Sequence, residues 1–206
     1  MSRHKTLVLA THNLFKQKEM KSLLSPLGII IVGLDDFPQI GDIEETGSTL
    51  LENSLIKSRT VYEITGLPSL ADDTGLEVDA LNGAPGIYSA RFAGENATFE
   101  DNVNKMLSDM ERVEVKRRTA RFRTVISFID KNTELWDEGF IEGNITVKPE
   151  GNDGFGYDPI FRPVNRNKTF AQMGDEEKNE ISHRGLALAR MKKTLKSYFN
   201  KGGSIE

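Results

Sequence analysis

The chain has 206 residues, enough for one large domain or two lobes around a sizeable core. With 37% hydrophobic and 28% charged residues it has the make-up of a soluble globular protein, not of a disordered or membrane one, and a formal net charge of -4 argues against general nucleic-acid binding. Cysteine is absent, which removes disulfides, thiolate zinc sites and cysteine nucleophiles.

Short β-rich runs alternate with amphipathic helical patterns, as in an α/β domain. The start MSRHKTLVLATHN is basic but holds too few apolar residues for a signal peptide, and no later run approaches a membrane span, so a cytoplasmic location is expected. Residues 6–10 read as a buried strand, followed by the polar loop Thr11-His12-Asn13. Phe15, Met20, Leu23, Leu24 and Leu27 form an apolar stripe at helical spacing, and Gly28 suits the stop. Residues 29–34 read as a second strand. The acidic loop 35–47 then leads to Thr49 and Glu52, spaced as a capping box for a helix reaching Gly66. An apolar run ends at the pair Asp72-Asp73, with glycine close behind. Thr98 is placed to cap a helix marked by Val103, Met106, Leu107 and Met110. Over 119–129 the pattern alternates, with Ala120, Phe122, Ile126 and Phe128 on one face and Arg121, Arg123 and Ser127 on the other, as in a half-exposed strand. Residues 135–136 and 140–147 read as further strands, and 182–199 as a helix with Leu188, Met191, Leu195 and Tyr198 on one side. A single domain over 1–200 with a frayed tail at 201–206 is expected.

Four polar constellations and one misplaced pair interrupt this scaffold, mostly where strands or loops meet helices, the junctions at which α/β proteins bind ligands. The segment Thr11, His12, Asn13, Leu14, Phe15 and Lys16 passes from a strand end into a helix whose N-terminal dipole favours an anion, although Asn13 alone is explained as a helix cap. Glu44 and Glu45 precede a helix that carries Lys57 two turns in. Asp72 and Asp73 repel each other and ask for a compensating charge, which a hard divalent cation such as Mg2+ supplies through carboxylate oxygens. In GNDGFGYDPIF the spacing of glycines is neither a dinucleotide fingerprint nor a Walker sequence. Such a turn lets Phe155 lie against a planar base with Asp158 beside it as an acceptor, or simply tucks an aromatic into the core. Finally, His183 and Arg184 follow the cap residue Ser182, where the helix dipole prefers acidic side chains. This breach suits an anionic or acceptor-rich ligand, with Lys178 nearby, unless Glu176, Glu177 or Glu180 satisfies exposed charges there.

Taken together, ATHNLFK, EETGSTLLENSLIK, LADDTGLEVDALNGAPGIYSARFAG, GFGYDPIF and ISHRGLAL resemble the inosine/xanthosine triphosphate pyrophosphatases, in order, from about Leu7 to Leu195. The resemblance implies an elongated, two-lobed α/β fold with a long central mixed β-sheet flanked by helices, an active-site cleft between the lobes, a homodimer and a Mg2+ requirement. It also implies hydrolysis of ITP, dITP and XTP to the monophosphate and pyrophosphate, which removes non-standard purines from the nucleotide pool. Carried over by position, Thr11, Asn13 and Lys16 meet the triphosphate with Lys57 assisting, within a binding segment that includes His12, Leu14 and Phe15. Asp73 becomes the general base and a metal ligand, Glu45 a second metal ligand, and Asp72 a supporting acid. Thr74 stands where many relatives have Ser and keeps the hydroxyl. Phe155 stacks on the purine, Gly156, Tyr157 and Asp158 line its edge, and Lys178, His183 and Arg184 contact the base, while Arg91 receives no role.

Two rivals are separable on the same residues. A pyrophosphatase of the Maf type shares the metal chemistry but lacks the GFGYDP and SHR combination. A non-enzymatic nucleotide-binding module has no need of Asp72 and Asp73.

Overall fold

The computed structural model describes residues 6–200, so the tail expected at 201–206 lies outside the described residues. Strand β1 (Thr6–Leu9) is buried after its first residue and leads through the polar loop to α1 (Leu14–Leu24), which tightens into a 3-10 turn and stops at Gly28 in the left-handed conformation. Strand β2 (Ile30–Val32) pairs parallel with β1, Leu7 opposite Ile31. Helix α2 (Leu50–Thr65) returns the chain to β3 (Ser69–Val78), which pairs parallel with β1 on its other side, Leu9 opposite Leu70. Both helices serve as the crossovers that parallel pairing needs. The short β4 (Pro85–Gly86) runs antiparallel to β3.

After α3 (Phe99–Asp109), β5 (Thr119–Asp130) and β6 (Thr133–Ile145) are joined by Lys131-Asn132, with Lys131 at φ 44°, a two-residue hairpin connection. Strand β7 (Phe161–Pro163) pairs antiparallel with β6. Gly143 on β6 has no room for a side chain, because a Cβ would meet the Phe161 ring. The sheet order is β2-β1-β3-β5-β6-β7 with β4 beside β3, a mixed sheet flanked by helices. Helices α4 (Asp175–Ile181) and α5 (His183–Asn200) complete the chain.

The chain divides into two compact units. The first contains residues up to Asp73, Thr124–Gly139 and residues from Gly185 onward. In it Leu7 and Leu9 of β1, Leu70, Ile126 and Phe128 pack against Met20 and Leu24 of α1 and Leu188, Met191 and Leu195 of α5. The second contains Thr74–Arg123 and Phe140–Arg184, and its core joins Leu76 and Val78 to Val103 and Met106 of α3, Phe122, Phe161 and Phe170. In this unit Arg118 is buried because its guanidinium donates to the carbonyls of Met110, Val113 and Thr146.

Several expected features differ. Phe15 is exposed, and the buried face of α1 is Gln17, Met20 and Leu24. The strand carrying Asp72-Asp73 does not end there but runs on through Gly75 to Val78. Ser127 is wholly buried, since β5 is covered on both faces from Thr124 onward and the Ser127 hydroxyl lies 2.8 Å from those of Ser54 and Ser58 on α2. The runs at 135–136 and 140–147 join into one long strand, β6, which ends at Ile145, two residues short of the second run's expected end. Helix α4 was not expected, because seven residues of mostly charged sequence show little apolar periodicity.

Candidate active site

In the first unit, the loop after β1 is fixed by its own side chains. Asn13 caps α1, its Oδ1 accepting from the backbone N–H of Phe15 (3.0 Å) and Lys16 (3.1 Å). Thr11 Oγ1 accepts from Asn13 N–H, and the buried Gln17 amide donates to the Thr11 carbonyl at 2.9 Å. The cap occupies two amides of the first turn, so attraction of an anion here rests on the helix dipole, the lack of acidic residues in that turn, and Lys16. His12 Nε2 lies 3.3 Å from the Gly41 carbonyl, while Leu14 and Phe15 are exposed beside the loop.

Helix α2 supplies the next group. Thr49 caps it by accepting from Glu52 N–H, while the Glu52 carboxylate accepts chiefly from the backbone and hydroxyl of Ser48. Gly47 donates its N–H to Asn53 Oδ1 at 2.8 Å and lies too close to α2 for any side chain, which seats the segment behind Glu45 on the helix. Lys57, one turn beyond Asn53 on the same face, places Nζ 2.5 Å from Glu45 Oε1 and 3.3 Å from Asp73 Oδ1. Alternation along β3 sends the neighbouring carboxylates to different lysines: Asp72 Oδ1 lies 3.1 Å from Lys16 Nζ.

Three carboxylates thus meet two ammonium groups in a largely buried cluster. Burial holds the Asp73 carboxyl above its usual range, against the opposing pull of Lys57 and with reinforcement from Glu45. Burial works against the Lys57 ammonium too, but Asp73, Glu45 and Asp72 outweigh it and keep the group charged. Asp73 Oδ2 is buried with no hydrogen-bond partner among the described residues. No group of three His, Cys, Asp or Glu side chains among the described residues is arranged to hold a metal. The donor set nevertheless fits Mg2+, which takes one or two carboxylates and completes its shell with water and substrate phosphates.

The second unit carries the aromatic group. Gly151, Gly154 and Gly156 all have positive φ, and Asp158 Oδ2 closes their turn by accepting from Phe155 N–H (2.8 Å) and Lys178 Nζ (2.7 Å). Lys178 Nζ and Arg184 Cζ sit 4.9 and 5.4 Å from the Phe155 ring centroid, and Arg184 also donates to Thr74 Oγ1 at 3.2 Å. The alternative of exposed charges here is not found: at the start of α5 Arg184 is 2% exposed and the His183 ring stacks on Phe122 at 4.5 Å, and Lys178 on α4 is 5% exposed. Lys178 pairs with Asp158. Tyr157 is a core residue whose hydroxyl donates to the Ser89 carbonyl, and burial pushes its pKa up, so its side chain supports the turn from behind. Arg91 lies over the Tyr88 ring and 3.8 Å from Glu95. Gln17 and Asn53 escaped the sequence reading, although a polar residue on a helix face that is otherwise buried was the available sign of each.

The sequence profile of the Ham1 family matches residues 7–194. A dITP/XTP pyrophosphatase of Photobacterium profundum is 48% identical over 193 residues, which span 92% of this chain and 98% of that protein. The dITP/XTP pyrophosphatase of Thermoanaerobacter pseudethanolicus is 47% identical, spanning 90% and 94%. Among solved structures, a HAM1 protein from Coxiella burnetii matches the fold with a TM-score of 0.86 at 43% identity, covering 94% of this chain and 99% of its own. The lysine–carboxylate cluster and the glycine-rich aromatic turn both lie inside the matched span, and by profile, sequence and fold alike the chain belongs to the Ham1 family.

Proposed function

We propose that this protein is a metal-dependent pyrophosphatase that hydrolyses the non-standard purine nucleotides ITP, dITP and XTP to the nucleoside monophosphate and pyrophosphate, in the cytoplasm and as a homodimer. The observation that carries this is the buried Lys57 ammonium shared by Glu45 and Asp73, with Lys16 on Asp72 beside it. Two lysines and a helix start are what a triphosphate needs, and a buried carboxylate with a free lone pair is what its hydrolysis needs.

Glu45 and Asp73 would hold Mg2+, which supplies charge screening of the phosphates and of the leaving pyrophosphate. Asp73, held above the ordinary carboxylate range, takes the proton of the attacking water, and Asp72 keeps Lys16 in place. Thr11 and Asn13 shape the loop on which the phosphates rest. With Glu45 and Asp73 engaged by a cation, Lys57 would be left to meet a phosphate oxygen.

At the base end, Phe155 stacks on the purine, with Gly156 beside it and Asp158 and Tyr157 fixing the turn. Lys178, His183, Arg184 and Thr74 present donors to the 6-oxo edge. Adenine offers a 6-amino donor there, which meets those donors with no acceptor. Guanine shares the 6-oxo group, so its rejection falls to the 2-position. A net charge of -4 supports a small nucleotide over a polynucleotide as substrate, and no described helix is long and apolar enough to cross a membrane. The test is a panel of ITP, dITP, XTP, GTP, ATP and UTP with Mg2+. kcat/KM for the first three should exceed that for ATP by about 100-fold or more, as rejection by a mismatched hydrogen-bonding edge gives. Equal rates across purines would remove the base assignment.

A further inference from the structure

We infer, resting on the base-end assignment above, that Phe99 is a positioning residue for the stacking ring: it holds Phe155 in place and widens the aromatic surface met by the purine. Phe99 is the first residue of α3, and its ring lies 6.0 Å from that of Phe155, tilted by 44°. Both rings stand on fixed backbone. Phe155 lies between Gly154 and Gly156, both at positive φ, in a turn that Asp158 closes on its N–H at 2.8 Å, so what its neighbours have left to set is the orientation of the ring. Phe99 follows a complete capping box, in which Thr98 Oγ1 accepts from Asp101 N–H (3.1 Å) and Asp101 Oδ2 from Thr98 N–H (2.8 Å), so its helix start is fixed.

Lys178 and Arg184 also touch the Phe155 ring, but both are assigned to hydrogen bonding with the base edge. When their donors turn to substrate, the Phe99 contact remains as one that asks for no polar partner. The ring is 44% exposed beside Phe155, so the pair offers a base more aromatic surface than Phe155 alone.

The test is calorimetric binding of inosine monophosphate, alongside steady-state kinetics with ITP and a thermal melt. Phe99→Ala should weaken the Kd for inosine monophosphate and raise KM for ITP about three- to tenfold, the range of one aromatic pair, with kcat within about twofold and Tm unchanged. Phe99→Tyr should restore both values. An unchanged Kd in Phe99→Ala, or a fall in kcat at constant KM, overturns the inference. Phe155→Ala separates the two levels: if it weakens binding while Phe99→Ala does not, only the role of Phe99 falls, and if neither weakens binding, the base assignment itself falls.

Discussion

Asp73 concentrates the chemistry proposed here into one carboxylate with two differently placed oxygens. Oδ1 faces Lys57 at 3.3 Å, and Oδ2 is buried without a hydrogen-bond partner among the described residues. Asp73→Asn keeps the shape and removes the charge, so kcat should fall by about 100-fold or more, the range for loss of a general base, and near wild-type turnover would move that role to Asp72. The same residue has a signature in the metal-free protein. Because burial raises its folded pKa, the protonated form is favoured by folding; that stabilisation is present below the ordinary value of about 4 and is lost as pH rises through the folded value. The groups facing it are Lys57, Lys16, Glu45 and Asp72, and all remain in the variant. Urea midpoints taken from about pH 4 to about pH 7 should therefore fall more for the wild type than for Asp73→Asn. Parallel curves would mean that Asp73 ionises like an ordinary surface carboxyl.

Among the elements, the glycine-rich turn is the most constrained. Gly154 has φ +76°, and a Cβ there would fall on the Asp158 carboxylate. Gly154→Ala should displace Asp158 from both Phe155 N–H and Lys178, costing about 1 to 3 kcal/mol for the lost buried bonds and raising KM for ITP, as read by urea denaturation and kinetics. A variant unchanged in both would show that Asp158 does not hold this turn. The turn was legible in the sequence because glycine and aspartate leave compositional traces, as were the caps Thr49 and Thr98. Helix α4 and the covered half of β5 were not. A short charged helix has no apolar period, and Ser127 reads as a solvent residue until Ser54 and Ser58 are known to face it. The buried state of His183 and Arg184 was hidden for the same reason: charge signals exposure unless the partner, here Phe122, Phe155 or Thr74, is in view.

For the molecule as a whole, the proposed division of labour follows the division of the chain. The lysine–carboxylate cluster of Lys16, Glu45, Lys57, Asp72 and Asp73 belongs to the first unit, and the aromatic group of Phe99, Phe155, Lys178 and Arg184 to the second. The proposed roles sit in motifs far apart in sequence because each end of a nucleotide asks for its own residue types, ammonium and carboxylate for phosphate and metal, ring and donor for the base. What the sequence left hidden were the supporting side chains, Gln17 and Asn53, whose polar character has meaning only once their backbone partners at Thr11 and Gly47 are seen. The most direct test of the central claim is to identify the products of ITP hydrolysis by the Mg2+-supplemented enzyme under single-turnover conditions. Inosine monophosphate and pyrophosphate should appear together in equal amounts with no diphosphate intermediate, whereas release of orthophosphate with inosine diphosphate would contradict the account.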